Sequence, residues 1–282
     1  MLQKADIELY FLTERELGAG TYGKVFSARP TALALSELNP NMPDIVAVKV
    51  ANIKDAHARD TLAGEIAMLR KLDLKYGLKY YGCLVTKSRV YVVMEYMDSE
   101  DLLDLISSGS LNIRQKNQIA SQIALGIKEM HDVGVLHRDI KPENIIVRIG
   151  SRGKAYVKII DYGLSCHVPT MTGACNTYAG TPPYMDPALT VKQIQSVDFK
   201  AMASADWWAF ARTLVVMYTE RPISKDIKIP DADRFSMPMS HYPMLNAILL
   251  NPPSKRPSAG KILATFSGRN PTKSKMLRYS EV

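Results

Sequence analysis

Cysteine is scarce in this chain, with Cys83, Cys166 and Cys175 the only three among 282 residues. They stand far apart and match no metal-ligand spacing, which argues against a zinc module and against a disulfide scaffold. They read as three free thiols of a reducing compartment, cytoplasm or nucleus undecided. Long hydrophobic runs are missing too: no window approaches eighteen uninterrupted apolar residues, so no membrane span is expected. Residues 1–18 carry charges throughout and lack the apolar centre of a secretory signal, so secretion is not expected either. No internal repeat is visible. What remains, 46% hydrophobic and 23% charged residues, is the composition of a soluble globular protein with one large core or two joined lobes. The surplus of 36 Lys and Arg over 28 Asp and Glu, a net charge of +8, is read as a basic solvated surface. No nucleic-acid role is expected from it. The tail 267–282, with Arg269, Lys273, Lys275 and Arg278, reads as basic and loosely ordered.

The richest stretch is 135–164. Two β-branched runs, 145–149 and 156–160, flank Ser151, Arg152 and Gly153 and predict a β-hairpin. A hairpin brings its outer ends together. Asn144 before the first strand and Asp161 after the second should be neighbours, with Asp139 five residues upstream on the same approach. Oxygen-bearing side chains of this kind suit a hard cation that completes its shell with phosphates.

Upstream, Gly18-Ala19-Gly20-Thr21-Tyr22-Gly23 runs into the strand residues Val25 and Phe26. Since no helix follows, a dinucleotide-binding turn is a poor fit; a strand-turn-strand flap over phosphates competes with a plain glycine-rich hairpin. Residues 29–44, with three prolines, predict a surface insertion. The run 45–50 predicts a strand in which Lys49 is the one charge, so it either snorkels outward or meets anions. Helix 56–72, with Leu62, Ile66, Leu69 and Leu72 as its stripe, carries Glu65, a candidate partner or an exposed helix charge. Two strands are expected between 75 and 96, then a short helix to 107 and a long one over 113–132 with Ile119, Ile123, Ile127 and Met130 inward.

His137-Arg138-Asp139, Lys141, Asn144 and Asp161-Tyr162-Gly163, in order after the glycine flap and Lys49, resemble the catalytic and metal-binding loops of eukaryotic-type protein kinases of the serine/threonine branch. The resemblance covers nearly all of residues 10–266. It implies an α+β bilobal fold: an N-lobe of residues 1–94, a hinge at 95–100, a C-lobe of 101–266 and the tail. It implies ATP with Mg²⁺, for which Mn²⁺ could substitute, and transfer of the γ-phosphoryl group to Ser or Thr hydroxyls of proteins, with autophosphorylation. Asp139 would orient the hydroxyl, Lys141 would contact the moving phosphate, and Asn144 and Asp161 would bind metal. Lys49 with Glu65 would fix the phosphates. Gly18, Ala19, Gly20, Gly23, Val25, Ala47, Met94, Glu95 and Met97 would line the nucleotide site, Met94 guarding its back; Asp101 would touch the ribose or cap the helix that follows it. His137 would brace the loop.

Gly180, Thr181 and Pro182 resemble the substrate platform. Arg138 would pair with a phosphate on the segment before them, at Thr177, with Thr170, Thr172 and Tyr178 as alternatives; the threonines could also be mere loop composition. Asp206 resembles the residue that caps the catalytic loop from below and is expected to open a helix. Two departures stand out. Tyr162 replaces the usual Phe, and Asp186-Pro187-Ala188 lacks the Glu that would pair with Arg256, so either Asp186 or another carboxylate substitutes or the corner is loose. A pseudokinase scaffold and a small-molecule kinase are the competing functions. Oligomeric state is not legible.

Overall fold

A computed structural model describes residues 5–20, 23–52, 56–86, 88–168, 175–196, 198–224 and 227–267. Helix α1 (Ala5–Tyr10) leads into a five-stranded antiparallel sheet of order β1-β2-β3-β5-β4, formed by β1 (Phe11–Gly20), β2 (Gly23–Pro30), β3 (Val46–Asn52), β4 (Tyr80–Val85) and β5 (Arg89–Glu95). Between β2 and β3 lies α2 (Ala32–Glu37), which begins at the Thr31 cap. This overturns the reading of 29–44 as a mere surface insertion. Ala34 and Met42 pack with Ile7, Phe11, Val46 and Val48 in a separate apolar cluster, because the alternating β3 pattern gives the sheet a second face to cover. The other face meets α3 (Ala56–Lys71), on which Leu62, Met68 and Leu69 are buried.

Past β6 (Glu100–Asp101) the chain turns helical, as the change of period requires. Helices α4 (Leu102–Ser107) and α5 (Ile113–Asp132) follow, and α5 starts with a reciprocal Asn112–Gln115 capping box. Ile119, Ile123, Ile127 and Met130 of α5 are at most 1% exposed. Each such side chain contributes about 1.5–3 kcal/mol by burial. Strand β7 (Val135–Leu136) precedes the hairpin of β8 (Ile145–Ile149) and β9 (Ala155–Ile159), registered Ile145 to Ile159, so the second strand begins one residue earlier than expected. Its turn places Arg152 and Gly153 at φ 61° and 69°. Short β10 (Cys166–His167) pairs with β7. Then come α6 (Val191–Gln195), α7 (Phe199–Thr219), α8 (His241–Leu250) and α9 (Ala259–Ser267). Asp206 does not open α7; Asp198 caps it, and Asp206 lies two turns inside it. This is a bilobal α+β fold, and no helix among the described residues is long and apolar enough to cross a membrane.

His241 lies under α9, its ring 4.4 Å from that of Phe266 and its Nδ1 2.9 Å from the Tyr218 hydroxyl. Burial depresses its pKa from 6.5 to about 4, and burial likewise lowers that of His137. On acidification the unfolded chain takes up these protons first. Stability is therefore complete above pH 6.5 and declines as pH falls from there toward 4. Thermal melts at pH 7.5 and 5 should show a drop of several degrees at the lower pH, and His241→Gln should shrink it. Equal melting temperatures at both pH values would contradict the assignment.

Candidate active site

Lys49 points inward from β3, where its strand neighbours are Val25 on β2 and Val92 on β5. Its Nζ lies 2.8 and 2.7 Å from the two carboxylate oxygens of Glu65 on α3. Glu65 is 4% exposed, so it is no solvated helix charge. Burial pushes its carboxyl above the ordinary 4.5, an effect that Lys49 partly offsets and the negative charge of Asp161 reinforces. Asp161 thus acts on Glu65 from the second lobe. Met94, buried at the end of β5, pairs with Ala47 and with Tyr80.

The flap is an antiparallel hairpin whose strands close at Gly20 opposite Gly23, with Thr21 and Tyr22 outside the described residues. Its glycines are not equivalent. A Cβ on Gly23 would stand 2.0 Å from the Val50 oxygen, so its own sheet requires glycine there. One on Gly18 would meet nothing within 4 Å, so internal packing does not dictate that glycine. Glu95 turns its carboxylate to Lys158 at 2.8 Å, and its amide donates to the Lys79 oxygen. Asp101 accepts from the Asp104 amide at 2.8 Å and caps α4, which favours the cap of its two readings.

Below the sheet, buried Asp206 organises the loop between β7 and β8. It accepts from the amides of His137 (3.0 Å) and Arg138 (2.8 Å) and lies 2.8 Å from His131 Nε2. Burial would raise its pKa, but these bonds, with His131 first, outweigh burial and hold the group below 3.8. They also hold Arg138 at φ 68°, a left-handed conformation that costs a non-glycine residue about 1 kcal/mol or more. His137 Nε2 lies 3.2 Å from the Ile160 oxygen, while its Nδ1 accepts from the Asp139 amide at 3.3 Å. That pattern fixes a neutral ring with its proton on Nε2, in accord with the depressed pKa. His137 is a brace.

Asp139 gathers the polar groups of the site. Its Oδ1 accepts from the Thr181 amide (2.9 Å) and hydroxyl (2.7 Å); its Oδ2 accepts from Asn144 Nδ2 (3.0 Å) and lies 3.0 Å from Lys141 Nζ. Lys141 also donates to the Thr181 hydroxyl at 2.8 Å. Burial raises the pKa of Asp139, but the Thr181 and Lys141 bonds and the Lys141 charge prevail and leave it below 3.8. Gly180 is at φ 135°, and a Cβ there would come within 2.8 Å of the Arg138 oxygen, which is why the chain can approach the loop so closely. Asn144 is tied to residue 160 by the Ile160 amide bond to its oxygen (2.9 Å), so Asp161 follows directly, itself at φ 64°. The hairpin thus delivers Asn144 and Asp161 side by side. Both present oxygen, the donor that a hard divalent cation takes, and Asn144 uses its amide nitrogen on Asp139, which leaves the carbonyl end for a ligand.

The segment beyond is anchored by Arg138, whose Nε donates to the Leu164 oxygen (2.6 Å) and Nη1 to the oxygen (3.1 Å) and hydroxyl (3.3 Å) of exposed Thr177. Tyr178 is exposed, and Thr170 and Thr172 lie outside the described residues. One expectation needs correction. Cys166 and Cys175 are joined in a disulfide, leaving Cys83 as the free thiol; β10 turns Cys166 into the cluster that Cys175 enters, a proximity no spacing encodes. At Arg256 the first of the two alternatives holds, with Asp186 in place of the missing Glu. Both of its terminal nitrogens bond the Asp186 carboxylate, Nη2 at 2.9 Å.

Tyr162 is buried, its hydroxyl 3.3 Å from the Ile159 oxygen, and burial raises its pKa. That bond is long and neutral. Tyr162→Phe should keep activity within about threefold and stability within about 1 kcal/mol, measured by steady-state rates and denaturant melts. A loss above about tenfold, about 1.4 kcal/mol at the transition state, would show that the hydroxyl matters.

A family model described as protein kinase domain matches residues 11–265. The CBL-interacting serine/threonine-protein kinase 18 of Arabidopsis thaliana is 30% identical over 206 residues, 71% of this chain and 36% of that protein. Protein kinase C-like 1 of Saccharomyces cerevisiae is 28% identical over 263 residues, 92% of this chain and 20% of the relative. The serine/threonine-protein kinase sid1 of Schizosaccharomyces pombe is 28% identical over 82% of this chain and 45% of its own length. The chain therefore spans less than half the length of these relatives.

Proposed function

This chain belongs to the protein kinase domain family, and on that premise we propose that it transfers the γ-phosphoryl group of ATP to Ser or Thr hydroxyls of protein substrates. The family's domain uses ATP with a divalent metal. The observation that carries the reading is the Asp139 carboxylate held jointly by Lys141 and Thr181, a seat in which a substrate hydroxyl can replace the Thr181 hydroxyl. Asp139 remains ionised at neutral pH and accepts a hydrogen bond from the incoming hydroxyl. With so low a pKa it is a weak base, so its contribution is chiefly orientation of the oxygen for in-line attack. Lys141 stands where charge develops on the transferred group. Lys49, fixed by Glu65, would bind the nucleotide phosphates beneath the flap, with Ala47 and Met94 against the base and the Met97 backbone at its edge. Asn144 and Asp161 would hold the metal, Mg²⁺ in this reading, which when bound neutralises phosphate charge. Arg138 is the receptor for a phosphate on Thr177, which would tighten a contact already in place.

The test is transfer from labelled ATP with Mg²⁺ to a basic generic protein beside Lys49→Met, which should lose about a hundredfold or more in rate. Equal, negligible incorporation by both chains with ATP bound would replace this reading with a nucleotide-binding scaffold, and transfer only to a sugar or lipid with a small-molecule kinase.

A further inference from the structure

We propose that Cys166 and Cys175 are a reversible thiol–disulfide pair through which a small thiol of the glutathione class sets the state of the activation segment; the effect on turnover rests on the function proposed above. The two sulfurs join points that matter. Cys166 pairs with Leu136, the residue before His137, so one end of the bond is fixed to the strand that enters the catalytic loop. Cys175 lies two residues before Thr177, the partner of Arg138, and six before Thr181, the partner of Asp139. The bond closes a short loop with a separation of nine residues. It therefore removes many open arrangements of the chain that leads to both contacts.

The surroundings suit a switch better than a structural staple. Both cysteines are fully buried, yet they pack with Leu136 and Met202 in a small cluster apart from the main apolar core. Opening the bond leaves that core intact, and two free thiols can stay packed as small apolar groups. Reduction then weakens the restraint on the segment without unfolding the domain. The exchange balances without a further reactant. In oxidation one protein thiolate attacks a sulfur of the oxidised small disulfide and expels one small thiolate, which takes up the proton that the protein thiol released. The second protein thiolate displaces the other small thiol and forms the Cys166–Cys175 bond, so two electrons pass to the small disulfide. Reduction is the reverse, and because the sulfurs are buried it proceeds when the segment opens locally.

The full-length chain should be equilibrated with oxidised or reduced glutathione, alkylated with N-ethylmaleimide and weighed intact. Cys83 serves as the internal standard: one adduct is expected in the oxidised chain and three in the reduced chain. Hydrogen exchange over residues 176–185 should be faster in the reduced form, and phosphate transfer about tenfold slower and recoverable on reoxidation. Cys175→Ala should resemble the reduced form and ignore glutathione, while Cys83→Ala should respond as the parent does. Three adducts in both states overturn the proposal, and so do one and three adducts with identical exchange. Altered adducts and exchange with no transfer in either state would keep the switch and reject the catalytic reading instead.

Discussion

Replacing Asp139 by Asn is expected to lower phosphate transfer by about a thousandfold while nucleotide affinity stays within about threefold. The carboxylate receives the Thr181 amide and hydroxyl on one oxygen, and Asn144 Nδ2 with Lys141 Nζ beside it on the other. An Asn retains one acceptor. Its amide nitrogen would face two donors, so the hydroxyl loses both its anionic acceptor and a defined seat, a combination in the range of about 10²–10⁴ for a positioned acid–base group. The nucleotide side of the cleft, Lys49 and Glu65, is untouched. Steady-state rates, an ATP-binding titration and a thermal melt together separate loss of chemistry from loss of fold; the two facing donors should cost about 1–3 kcal/mol of stability at most. A variant that kept a tenth of the parent rate would remove Asp139 from the centre of the reaction.

The second large effect is on stability. Asp186→Ala should destabilise the chain by about 3–5 kcal/mol, because Arg256 would remain buried as an unpaired cation. Its side chain is 4% exposed and that of Asp186 is fully buried. Apart from the carboxylate, the partners of Arg256 among the described residues are neutral: the Asn251 oxygen at 3.0 Å and the oxygen and hydroxyl of Ser204 at 3.1 Å. The melting temperature should fall by about 10 °C. Removing both charges, as Asp186→Ala with Arg256→Leu, should restore most of that loss, since desolvating a matched pair returns little net stability. A double variant no better than Asp186→Ala alone would show that the pair contributes more than mutual neutralisation. Denaturant melts of the parent and three variants complete the cycle.

This ion pair also shows where sequence reasoning stops. The motif position usually held by Glu carries Ala188, and the nearest carboxylate, Asp186, stands two residues earlier; whether it meets Arg256 across seventy residues is a question of backbone placement. The same holds for Cys166 and Cys175, whose residue types and spacing carry no pairing signal, and for Thr181, which stands out as platform but not as the direct partner of Asp139. Asp101 reads equally as a ribose ligand or a cap until the Asp104 amide is seen beside it. Residues 29–44 look like insertion because their prolines advertise loop, whereas Ala34 and Met42 have a partner face only once the sheet is assembled.

Local chemistry was legible from the start. Period-two and helical patterns gave the β8–β9 hairpin and α5, since alternation and apolar stripes reflect burial on one face of a single element. The order of Gly18, Lys49, Glu65, Asp139, Asn144 and Asp161 was enough to indicate the family and the bilobal fold. Tertiary structure decided which side-chain atoms meet: it chose between the two readings of Glu65 by seating it on Lys49, and it alone put Thr181 on Asp139, Asp186 on Arg256, and Cys166 on Cys175. Hydrogen bonds and ion pairs act over about 3 Å, and a linear sequence sets such distances only between neighbours in one element; across lobes and loops, the packing of the whole chain sets them.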